Sequence, residues 1–122
     1  MPKIGARIVN ALLVAAVIFS TAPAQAAQED TSGNQLYELC SAPDSTWQSA
    51  VCEGYVLAID DMLTAQHMLD EQKGICLPDG VTREQMKDVV TSYLRDHPDD
   101  RQKWMFVLAS EGLVAAFPCK KP

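Results

Sequence analysis

Four cysteines, Cys40, Cys52, Cys76 and Cys119, sharply limit what this chain can fold into once it meets an oxidising compartment. The amino terminus directs it to one. Lys3 and Arg7 form a charged leader, Ile8 to Phe19 follow as an apolar run broken only by Asn10, and Ala22, Ala24 and Ala26 offer a small-residue cleavage site. That is the pattern of a secretory signal, cut most simply between Ala26 and Ala27, with the position after Ala24 fitting nearly as well. The apolar run has 12 positions, against about 20 for a helix that spans a bilayer. No cysteine lies near the cut to carry a lipid. The expectation is a signal peptide over residues 1–26 and one mature domain over residues 27–122, free of the membrane and outside the cytoplasm.

Removal of the signal leaves 96 residues, a size at which a hydrophobic core alone gives thin stability and staples are expected. Lys3 and Arg7 leave with it, so 8 Lys and Arg face 16 Asp and Glu and the net charge moves from −6 to −8. Such a surface repels nucleic acid and suits a basic partner, besides keeping an exported protein soluble.

Caps and apolar periods lay out about four helices and no strand of useful length. A short helix covers Gly33 to Leu39 and is broken by Ala42-Pro43-Asp44. Ser45 with Gln48 reads as a capping box for a long helix whose Val51, Tyr55, Ala58, Met62, Ala65 and Leu69 recur at spacings of four and three, closed by Lys73-Gly74. Thr82 with Gln85 reads as a second box, opening a helix with Met86, Val89, Val90, Tyr93 and Leu94 inward. His97-Pro98 ends that helix, Pro98 suits the first turn of the next, and Trp104 to Phe117 runs apolar until Pro118. Short loops imply antiparallel neighbours. The Cys76 turn and the end of the last helix then share one end of the bundle, and Cys40 and Cys52 share the other. The expected bridges are Cys40 with Cys52 and Cys76 with Cys119.

The segments Ser32 to Cys40, Cys52-Glu53-Gly54-Tyr55-Val56, Cys76 to Thr82, Tyr93-Leu94 before His97-Pro98, and Phe117-Pro118-Cys119 together resemble the Rap/Tai immunity-protein family over nearly the whole mature chain. The resemblance implies an all-α, disulfide-braced fold and a periplasmic antidote that binds a type VI secretion peptidoglycan amidase and blocks its active cleft, with relatives that tend to act as dimers. The chain departs from the pattern at Ala58, which stands in a glycine's place, and at Lys103, Trp104 and Met105, where smaller or more aliphatic residues are expected. The matching residues are architectural: Gly54 is expected to admit another helix and Tyr55 to fill the core.

Catalytic and metal readings fare worse. A thiolate nucleophile beside His67 or His97 conflicts with an even set of cysteines in an oxidising compartment. His67 and His97, without a paired-ligand spacing, read as solvated residues and not as metal ligands. Asp60 and Asp61 point about 100° apart on a helix and cannot converge as acid and base. Met62 and Met68 read as core filling. No enzyme activity, cofactor or metal is expected. The acidic corner Asp96, His97, Asp99, Asp100 and Arg101 is the expected partner-contacting surface, since exposed loops on rigid scaffolds carry recognition and complementary charge speeds capture. The alternative is a periplasmic structural, chaperone or ligand-binding protein on the same scaffold.

Overall fold

A computed structural model describes residues 30–120, and the signal-peptide reading lies outside them. Four helices follow one another: α1 (Gly33–Ser41), α2 (Trp47–Leu69), α3 (Arg83–Asp96) and α4 (Met105–Ala116), with a 3-10 turn at Pro98–Asp100. Each helix packs against the other three. The only β pairing among the described residues is an isolated bridge between Ser32 and Trp104. Cys40 is bonded to Cys52 and Cys76 to Cys119, as the layout predicts.

Side-chain caps set the helix starts. The Ser32 hydroxyl accepts from the Gln35 amide, and Thr82 and Gln85 form the reciprocal box. At α2 the cap lies one residue later than Ser45. Ser45 takes φ 71°, the left-handed region, whereas an N-cap needs an extended backbone. Thr46 supplies it, accepting from the Ser49 amide. The carboxyl end of α2 also differs: the helix stops at Leu69 and Asp70 is its cap, before Lys73-Gly74. Pro98 opens the separate 3-10 turn and not α4, which begins at Met105 after Trp104.

The buried stripe of α2 is Cys52, Val56, Ile59 and Leu63. Val51, Ala58, Met62, Met68 and Leu69 face solvent and Tyr55 is half-buried, so the sequence reading placed the inward face one residue too early. Both candidate stripes carry apolar residues at helical spacing, and burial of the Cys40–Cys52 bridge turns α2 toward the second. Gly54 is correspondingly open, with nothing near the position of a side chain. Helical glycines that do admit a neighbour are Gly33 on α1, packed against Leu108 and the Arg101 backbone, and Gly112 on α4, where a Cβ would stand 3.0 Å from the Cβ of Tyr93. Leu36, Val90, Leu94, Leu108 and Leu113 are fully buried, each contributing roughly 1.5–3 kcal/mol of apolar transfer.

Two charged groups enter this interior. Asp60 is buried while Asp61 is exposed. Burial raises the Asp60 carboxyl above its ordinary value, the Asp61 charge adds to the effect, and a hydrogen bond from Thr64 opposes it. Lys87, predicted by no periodicity, lies 6% exposed on the inner side of α3. Its ammonium donates to Asp44 at 2.6 Å and to Ser49 at 2.7 Å, with Glu53 at 3.9 Å. These bonds bring the first turns of α2 and α3 together, so residues 70–82 fold back along α2, in place of the simple antiparallel succession the short loops imply. Cys76 still reaches Cys119 because that returning segment passes the end of α4, where the Cys76 amide donates to the Phe117 carbonyl.

Lys87→Met keeps the side-chain volume but strips buried Ser49 of its partner. The expected loss in chemical denaturation is about 2 kcal/mol. An unchanged midpoint would mean that water replaces the ammonium at no cost.

Candidate partner-docking site

The connection between α3 and α4 is held rigidly. Backbone amides of Gly33 and Asn34 donate to the carbonyls of Lys103 and Arg101, and the Met105 amide donates to Thr31, at 2.9, 2.9 and 2.7 Å. Arg101, expected among the partner contacts, spends its guanidinium internally. It donates to the Leu94 carbonyl at 2.7 Å and the Arg95 carbonyl at 3.2 Å, satisfying the open end of α3, and lies 3.8 Å over the Tyr37 ring.

The remaining corner residues are near the surface. Asp96 pairs with Arg95, Asp99 is exposed, and Asp100 accepts from Lys103 at 2.8 Å. The Lys103 hydrogen bond holds the Asp100 carboxyl below its ordinary range, and Asp100 in turn raises the Lys103 ammonium. His97 stacks on Tyr93 with centroids 4.1 Å apart and donates from Nδ1 to the Tyr93 carbonyl at 2.7 Å. Tyr93 donates to Glu111 at 3.0 Å. Its phenol is raised first by burial and then by Glu111. The corner therefore presents carboxylates on a fixed frame.

Beside it lies a surface the sequence reading missed. Trp47, the first residue of α2, is 68% exposed, and Trp104, which precedes α4, is 64% exposed. With Val51, Tyr55, Leu39, Phe106 and the exposed Asp30 they line an open groove of about 710 Å³. Trp104 and Phe106 meet edge to face, centroids 6.1 Å apart. The apolar period assigns Val51 and Tyr55 inward, which hides the groove from a reading of the sequence. The available signal was that both tryptophans stand at helix starts, off any buried stripe. Exposed aromatic side chains lining a concavity are what a protein partner's anchors require.

His67, read as a solvated residue, is half-buried against the Cys76–Cys119 bridge. The three residues present donor atoms within 4.8 Å of one another, but the two sulfurs are bonded together and are not free to ligate.

No helix of the described residues is long and apolar enough to cross a membrane. Fold and surface define a small disulfide-braced helical recognition domain. The chain belongs to the Rap1a immunity proteins, whose family model matches residues 32–119, from the cap of α1 to the last cysteine. Its function is accordingly immunity, exercised by binding a partner effector. No curated protein and no solved structure matches the chain.

Proposed function

We propose that the chain is a periplasmic immunity protein that binds a type VI secretion peptidoglycan amidase effector and blocks its active cleft. Family membership supports the immunity role, and the two disulfides fit an oxidising compartment. The observation that carries the docking site is the pair of exposed tryptophans on a groove beside the pinned acidic loop. In this reading the aromatic groove supplies affinity. Asp96, His97, Asp99 and Asp100 steer a basic cleft rim, and Arg101 holds the loop in shape.

The test is capture of candidate amidases by the mature chain, with loss of wall hydrolysis as the second readout. Trp104→Ala is expected to weaken a captured amidase by about 2 kcal/mol, roughly 30-fold. Asp96→Ser with Asp99→Ser should slow association mainly at low salt. Failure to capture any amidase from the same genome and its competitors would favour the structural or ligand-binding alternative. Sedimentation of the mature chain tests the homodimer, and a dimer lost in Trp104→Ala would place a second copy on the groove.

A further inference from the structure

The two bridges sit in different chemical surroundings. Cys40 and Cys52 are 3% and 0% exposed. Cys76 and Cys119 are half-buried, and Cys119 lines an open concavity of about 700 Å³ whose charged groups are Glu71, Lys73 and Lys120. Against this bridge lies the imidazole of His67, Nε2 being 3.4 Å from the Cys76 sulfur and Nδ1 3.5 Å from that of Cys119. Nδ1 is also 3.1 Å from the Lys73 carbonyl. A carbonyl only accepts, so Nδ1 carries the hydrogen and Nε2 is the atom free to take or give a proton, facing Cys76.

We propose that His67 is the acid–base group of the Cys76–Cys119 bridge, and that this bridge is where the chain exchanges disulfides with a dithiol or protein-disulfide partner. In the opening direction a partner thiolate attacks the Cys119 sulfur. The sulfur–sulfur bond breaks, Cys76 leaves with the electron pair, and His67, protonated at Nε2, gives it the proton. The partner's second thiolate then attacks the mixed disulfide and releases Cys119 as a thiolate, so the partner ends oxidised and the chain holds two reduced cysteines. In the closing direction, the reverse of these steps, the Cys119 thiolate attacks the partner's disulfide and expels one partner thiolate. His67 then takes the proton from Cys76 at Nε2, and the Cys76 thiolate attacks the Cys119 sulfur, which forms the bridge and releases the partner reduced. A lower-pKa thiol both leaves faster and is present more often as the attacking thiolate. His67 sets the rate, and the stability of the fold sets the equilibrium. The placement suits closing during folding. His67 and Cys76 are 9 residues apart on adjoining elements, so their contact needs only a local turn, whereas Cys119 must arrive from 43 residues away.

The experiment exposes the folded, oxidised mature chain to dithiothreitol, quenches by alkylation and follows each bridge by peptide mass. Cys76–Cys119 is expected to open at least about tenfold faster than Cys40–Cys52, and His67→Ala to slow it by about tenfold. Circular dichroism reports whether that variant keeps its helices; if it does not, His67→Gln carries the same expectation. Free imidazole should restore part of the rate in His67→Ala and leave the wild type unchanged, a rescue that a packing role would not produce. Equal opening of the two bridges, an unslowed His67 variant, or slowing that imidazole does not relieve would each overturn the proposal.

Discussion

Replacing Cys76 and Cys119 together by alanine is expected to remove about 4 kcal/mol of stability, a large part of the ~5–15 kcal/mol typical of a whole domain. The bridge closes a segment of 43 residues, against 12 for Cys40–Cys52, and in the chain-entropy model the longer loop restrains the unfolded chain more, by about 1 kcal/mol. The effect should appear chiefly in the unfolded state. Urea unfolding followed by circular dichroism should therefore show a lower midpoint together with a steeper denaturant dependence, because the unlinked chain expands further. A lowered midpoint with unchanged slope would instead assign the loss to native contacts around His67 and Phe117.

Gly74→Ala is expected to cost roughly 3 kcal/mol or more. Gly74 adopts φ 76°, and a Cβ there would run into the Leu63 carbonyl oxygen and stand 2.8 Å from the His67 backbone nitrogen. Backbone cannot swing aside as a side chain does, so the turn after α2 would have to lift away and carry Cys76 with it. Gly80 provides the control. Its φ is 85° but the space around it is open, so Gly80→Ala should cost only the left-handed strain, about 1 kcal/mol. Thermal or urea midpoints of the two variants separate the contributions. Equal losses would show that collision with α2 is not what makes position 74 demanding. Gly74→Ala should also delay formation of the Cys76–Cys119 bridge on reoxidation, while Gly80→Ala should not.

Local signals were the most legible part of this chain. Thr82 and Gln85 mark a helix start because both hydrogen bonds of the box are made within four residues, and the structure contains both. At α2 the same reasoning erred by one residue, because Ser45 and Thr46 are chemically alike as caps. The choice fell to backbone direction, which Pro43 and the turn around it impose: the Thr46 hydroxyl donates to the Pro43 carbonyl at 2.7 Å. The inward face of α2 was misread for a related reason. Val51, Tyr55 and Met62 are as apolar as Val56, Ile59 and Leu63, and periodicity measures spacing without saying which of two stripes meets a neighbour.

The docking groove was the least legible feature. It joins Trp47 from the start of α2 to Trp104 and Phe106 at the start of α4, and no sequence spacing relates residues so far apart. Of the acidic corner, the chain's own order suggested exposure and charge correctly for Asp96 and Asp99, but could not anticipate that Arg101 turns inward to serve the end of α3.

By itself, then, the sequence determined the number and kind of elements, the two cysteine pairings and the resemblance to an immunity family, because caps, apolar periods and cysteine order act through neighbours or through covalent chemistry. Tertiary structure alone decided the rotation of α2, the burial of Lys87, the seat of His67 against a disulfide and the tryptophan groove. Each of these depends on which surfaces remain once every helix has buried its best face against the other three, a competition settled across the whole domain and not within any stretch of chain.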